Sequence, residues 1–166
     1  MSPETIFLFH LVAGYVAWLL FFAAYAWPRL VSMDRDQALR AIATLHGFRF
    51  FGLVFILPGV VGASLPPAFA TFAAYGDLAT GVLALAALAS FRVRPLFRSF
   101  VLAFTLAGLG DLLVDYFHAV QLNLPSVAGA LGSAYAIPVL YVPLLMITHV
   151  AALVLLARPA RALATA

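Results

Sequence analysis

The run Gly110-Asp111-Leu112-Leu113-Val114-Asp115-Tyr116-Phe117-His118 carries two carboxylates and an imidazole at spacings of four and three residues. On an α-helix that spacing aligns all three on one face. The flanking sequence is apolar, so the face belongs to a membrane span, where a charge near the bilayer centre costs about 2.5–3.5 kcal/mol and is usually retained for function. Such a face turns toward other helices or a wet cavity, and Ala107 and Gly108 beside it let a neighbour come close. Two carboxylates one turn apart in low dielectric disfavour double ionisation, so Asp111 and Asp115 are expected to share a proton. At ~1.5 Å per residue, Asp111 falls near the midplane, Asp115 a turn further out and His118 near the outer surface. A purely structural reading stands beside this one: Asp115 and His118 reach head groups or loop backbone, and Asp111 alone is intramembrane, bonded to a hydroxyl or to broken-helix backbone.

Other spans supply further ionisable groups. His10 lies two turns inside the first span, at about the level of His118, with Gly14 one turn deeper. Asp77 stands at the outer start of the third span, where a first-turn carboxylate suits the helix dipole. His149 belongs to the inner half of the fifth span. His46 and Arg49 stand at the inner mouth of the second, where Arg49 is free to snorkel to phosphate.

The elements that must hold these residues follow from composition. The 166-residue chain is 66% hydrophobic and 9% charged, with a mean hydropathy of +1.11, values that suit a chain dissolved in lipid. The expected fold is all-α: one polytopic membrane domain of five transmembrane helices, near residues 4–27, 46–64, 76–91, 99–121 and 134–157. All basic residues are arginines, confined to Arg29–Arg49, Arg92–Arg98 and Arg158–Arg161. Retention of these stretches on the cytoplasmic side gives an outside N-terminus and a cytoplasmic C-terminus in a bacterial inner membrane.

Local signals refine the spans. Ser2, Pro3 and Glu4 open the first helix and Pro28 is expected to close it. The acidic flank and the long apolar stretch read as a retained span rather than a secretory signal. Asp34 or Asp36 caps a short amphipathic lead-in helix, with Asp36 and Arg40 as an (i, i+4) pair. Pro58 is expected to kink the second span and free the carbonyl of Val54. The stretch from Pro67 to Tyr75 reads as an interfacial segment, and Gln121 to Ser133 as an outer loop. Pro138 and Pro143 break the fifth span.

Absent residues exclude chemistry. Without cysteine there is no thiolate-ligated metal, iron–sulfur cluster or c-type haem, and without lysine no Schiff base. No glycine-rich phosphate loop is present. Nucleic acid is not an expected partner, since the arginines sit where residues beside a membrane meet the lipid bilayer. Proton-linked permeation of a small cationic or neutral solute leads the functional readings, with Asp111, Asp115, His118, His149, His10 and Asp77 as the proton- or ligand-binding set and His46 and Arg49 at the inner mouth. Bis-histidine haem b, from His10 with His118 and His46 with His149, is an alternative. So is an intramembrane acid–base enzyme acting on a lipid-like substrate. A zinc site from Asp111, Asp115, His118 and His10, and a structural subunit without chemistry of its own, complete the set. The small-residue third span fits tight packing within the monomer or across a homo-oligomer.

Overall fold

The structure, a computed structural model, describes residues 1–158, so Arg161 lies outside the described residues. Five helices are long and apolar enough to cross a membrane: α1 (Pro3–Ser32), α2 (Arg35–Ile56), α3 (Pro67–Ala89), α4 (Arg94–Gln121) and α5 (Ile137–Ala157). No strand forms among the described residues. The core centres on α3, which packs most extensively against the second half of α2 and against α4. Ala73, Ala74, Gly81, Ala84 and Ala87 are buried along α3, and their small side chains allow that approach. Helix α1 is the peripheral member and buries only Phe7 and Gly14 in its first nineteen residues.

The caps behave as local chemistry dictates. Ser2 Oγ accepts from the backbone N–H of Thr5 at 3.2 Å, with Pro3 in the first turn. Asp34 caps α2 by accepting from the N–H of Asp36 at 3.0 Å. Asp36 does not pair with Arg40. It reaches across to α4, where Arg98 Nε donates to it at 2.8 Å and Arg94 also bonds it. Arg40 instead lies over the Phe91 ring, 4.5 Å from its centroid.

Proline acts differently from the sequence expectation. Pro28 does not end α1, because a π turn at Phe22–Ala26 precedes it and the helix continues to Ser32. The N–H of Trp27 bonds the carbonyl of Phe22, five residues back. The wider turn relieves the clash a proline ring makes with the carbonyl four residues earlier. Helix α5 repeats the device: the π turn Ile137–Tyr141 precedes Pro143, and the N–H of Val142 bonds the carbonyl of Ile137. Gly14 lies directly against the carbonyl of Val139, and Trp18 Nε1 donates to that of Leu140 at 2.8 Å, so α1 covers backbone exposed by this turn.

Helix α2 changes character midway. Arg35–His46 is α-helical and Gly47–Ile56 is a 3-10 helix. The tighter winding rises ~2.0 Å per residue, so ten residues reach ~20 Å instead of ~15 Å. The lead-in helix and second span of the sequence reading are thus one element ending at Ile56. Pro58 lies beyond it, in a turn closed by Val60 N–H to the Leu57 carbonyl at 3.2 Å, with Gly59 at φ +83°. The interfacial segment expected at Pro67–Tyr75 is the first part of continuous α3.

The loops at this end interlock. A 3-10 segment, Leu124–Tyr135, folds over the bundle, and Gly62 N–H donates to the Ala130 carbonyl at 2.7 Å. Gly132 holds φ +55° and ψ −132° against the Val60 carbonyl, a conformation and a spacing that admit no Cβ. Replacing Gly132 with Ala is expected to cost about 1–3 kcal/mol, read as a lower Tm of detergent-solubilised protein. Gly129→Ala, at a site with open space around the added carbon, should leave Tm unchanged.

Candidate functional site

The 3-10 half of α2 builds the site. Three residues per turn set positions i and i+3 in line, and His46, Arg49, Gly52 and Phe55 form one buried edge at that spacing. Arg49 is completely buried. Its Nε donates to Asp77 Oδ1 at 2.6 Å and its Nη2 to Asp111 Oδ2 at 2.5 Å, joining α2 to both α3 and α4. Its Nη1 stands 3.2 Å from His149 Nε2 on α5. A guanidinium only donates, so this imidazole nitrogen accepts and the ring proton sits on Nδ1. One side chain therefore ties four helices together.

Glycines make the room. A Cβ at Gly52 would strike the Asp77 carboxylate, one at Gly76 the Asp111 carboxylate, and one at Gly108 both His149 and Arg49. Asp77 and Asp111 each lie about ten residues, or ~15 Å, inside the end of their helix on the loop-covered side. That depth is half of a ~30 Å hydrocarbon core.

Toward the arginine-rich end the cluster is closed by rings. His46 and His149 lie with centroids 3.9 Å apart and an interplanar angle of 37°, and Phe104 packs against both. The Thr148 hydroxyl donates to the Leu144 carbonyl at 2.8 Å, so at 3.0 Å it accepts from His46 Nε2. His46, Phe97, Phe104 and His149 are fully buried.

Toward the other end lies a cavity of about 110 Å³. Phe7, Phe55, Phe69, Leu112 and Ile137 supply much of its apolar wall, and Asp77, Asp115 and Tyr116 are its polar members. Among the described residues, Asp115 Oδ1 is buried without a hydrogen-bond partner, as is Asp111 Oδ1. The Tyr116 hydroxyl is 2.7 Å from that of Tyr15 on α1.

These positions revise several expectations. Asp77 is not a first-turn carboxylate but a mid-helix ion-pair partner. Arg49 does not snorkel, and with His46 it lies in the interior rather than at a mouth. Asp111, Asp115 and His118 do share the inward face of α4, yet they divide: Asp111 joins Arg49, Asp115 lines the cavity, and half-buried His118 packs edge-on against Phe72 at 5.0 Å. His10 is exposed and its Nδ1 stands 3.0 Å from the Tyr135 hydroxyl, apart from the cluster.

A family model described as a domain of unknown function, DUF8737, matches residues 6–157. The chain belongs to the DUF8737 family. No curated protein and no solved structure shows significant similarity to it.

The geometry bears on two cofactor readings of this DUF8737 chain. A bis-histidine haem needs its porphyrin between the two imidazoles, whereas here His46 and His149 lie against each other, with centroids 3.9 Å apart and ring planes tilted by 37°. His10 and His118 face different neighbours, Tyr135 and Phe72. For zinc, no three or more His, Asp or Glu side chains among the described residues converge closely enough to hold an ion.

The decisive residues of this DUF8737 site were Arg49 and Asp77, and the sequence carried signals for both. Gly-Asp-Leu occurs at residues 76–78 and again at 110–112, marking Asp77 as the counterpart of Asp111. The three-residue spacing of His46, Arg49 and Gly52 marks the 3-10 edge.

Removing Arg49 leaves buried carboxylates facing one another. Arg49→Met is expected to cost about 3–5 kcal/mol, and adding Asp77→Asn with Asp111→Asn should recover most of that loss, because a neutral polar set is no longer short of its cation. Thermal unfolding of the single and triple variants in detergent checks both.

Proposed function

We propose that this DUF8737 protein is a five-span protein of a bacterial inner membrane, N-terminus outside, whose outer chamber takes the polar end of a small lipid-like molecule and exchanges a proton with it at Asp115. The observation that carries the reading is an unpartnered carboxylate oxygen of Asp115 beside an almost wholly apolar cavity. Acid–base groups in such a chamber suit proton removal and return on an amphiphile, as in an isomerisation. The volume of about 110 Å³ is of the order of the ~150 Å³ apolar cavity that takes up benzene, so a head group and its first carbons fill it. The rest of the molecule extends past Leu8 and Val120, both of which have exposed surface.

Charge narrows the ligand. Asp77, Asp111 and Asp115 gather around one guanidinium, so the excess negative charge is balanced by protons or by the ligand. A head that is cationic or rich in hydrogen-bond donors is favoured, and an anionic one is repelled. The stacked His46, His149 and Phe104 close the inner side, which favours a chamber with one mouth over a through path.

A second reading, proton-linked permeation, draws support from the run of titratable groups from Asp115 through Asp111 to His149 and His46. It requires the ring stack to open. The arms of one experiment separate the two. In lipidomic comparison of cells, a lipid-like species converted by the wild type and left unconverted with Asp115→Asn supports the chamber; identical lipidomes overturn its chemistry. General acid–base catalysis contributes about 10²–10⁴-fold, so conversion should fall by that factor. In proteoliposomes under a pH gradient, cation flux abolished by Asp111→Asn would favour permeation instead.

Orientation has its own check, helped by the lack of native cysteine. Ser64→Cys should react with a membrane-impermeant maleimide from outside the inner membrane, and Val93→Cys only after the membrane is opened. The reverse pattern overturns the assigned topology.

A further inference from the structure

At the arginine-rich end, apart from the chamber, a groove of about 350 Å³ is lined by Arg35, Arg98, Ser99, Leu102 and Leu156. Its chemistry is split. Arg35, Arg98 and Ser99 provide cationic and hydroxyl donors, and Leu102 and Leu156 an apolar wall on α4 and α5.

The two arginines are fixed by other contacts, which leaves donors available. Arg98 spends Nε and Nη2 on Asp36, at 2.8 and 2.9 Å, so its guanidinium plane is held. Arg35 Nη1 donates to the Arg158 carbonyl at 2.7 Å, its Nε is buried out of reach, and its Nη2 makes no hydrogen bond among the described residues. Asp36 is shared by Arg94 and Arg98, and Asp34 lies 3.6 Å from Arg94, so among the described residues these acids are already matched and Arg35 is a surplus cation beside the groove.

We infer that this groove is a binding site for one anionic phospholipid of the surrounding bilayer, its phosphate held by Arg35, Arg98 and Ser99 and an acyl chain lying along Leu102 and Leu156. The inference rests on the membrane placement proposed above but not on the chemistry at Asp115. Charge complementarity selects an anionic head over a zwitterionic one, since only a head with a net negative charge neutralises the surplus cation, whereas a zwitterion brings its own cation to the site. The adjoining apolar wall selects a lipid over free phosphate, because leucine surface adds affinity only for a molecule with a hydrocarbon part.

The test is native mass spectrometry of the full chain released from detergent containing phosphatidylglycerol or phosphatidylcholine. One phosphatidylglycerol should remain bound preferentially. Arg35→Gln should weaken its retention about fivefold, and Leu156→Trp, which fills the groove without altering charge, should also weaken it. Arg92→Gln makes the same charge change at an exposed position outside the groove and should retain the lipid. Equal retention of both lipids, equal loss in Arg92→Gln and Arg35→Gln, or displacement by millimolar inorganic phosphate would each overturn the inference. Asp115→Asn should bind the lipid as the wild type does, so failure here is distinguishable from failure of the chamber reading.

Discussion

A guanidinium buried at mid-depth in an apolar bundle is the constraint on which the architecture depends. The desolvation cost of Arg49 is offset only if carboxylates reach it in good geometry and its remaining donor finds an acceptor. Asp77, Asp111 and His149 meet that demand from three helices. In the membrane setting proposed above, lipid gives little hydrophobic drive for helices to associate, and these directional bonds then fix which faces of α2, α3, α4 and α5 meet. Small residues then determine how close those faces come.

The irregular backbone serves the same end. A 3-10 segment of ten residues is long for its kind, and it places His46 and Arg49 on one edge, facing inward. The π turns before Pro28 and Pro143 keep α1 and α5 continuous where a plain α-helix would be broken. In α5, continuity carries His149 to Arg49, and the backbone opened by the turn is met by Gly14 and Trp18.

Fixed charge also gives the molecule two unlike ends. On one side of Arg49, aromatic rings close the bundle. On the other, Asp115 borders an apolar space, with a carboxyl oxygen left without a partner. In the proposed reading, a site whose structural charges are tied down and whose nearest carboxylate is free would exchange a proton without dissolving its own framework. The arginines at the far end do separate work: Arg94 and Arg98 hold Asp36, and Arg35 and Arg98 line a second groove.

Much of the fold was legible in the sequence because hydropathy and helical period are local quantities. Five long apolar helices, the Ser2 and Asp34 caps and the inward face of Asp111 and Asp115 all follow from residue type and spacing. The span limits were less legible, since proline marks an interruption but not whether a π turn absorbs it, as at Pro28, or a loop takes it up, as at Pro58. The roles of Arg49 and Asp77 were settled by tertiary structure, although the repeated Gly-Asp-Leu and the three-residue spacing from His46 hinted at both. An arginine near a span end has the same local pattern whether it snorkels or pairs inside, and the balance turns on carboxylates that chain separation hides until α3 and α4 pack against α2. The sequence by itself determined that charged groups would be enclosed; the packing decided which ones neutralise each other and which one, Asp115, is left facing open space.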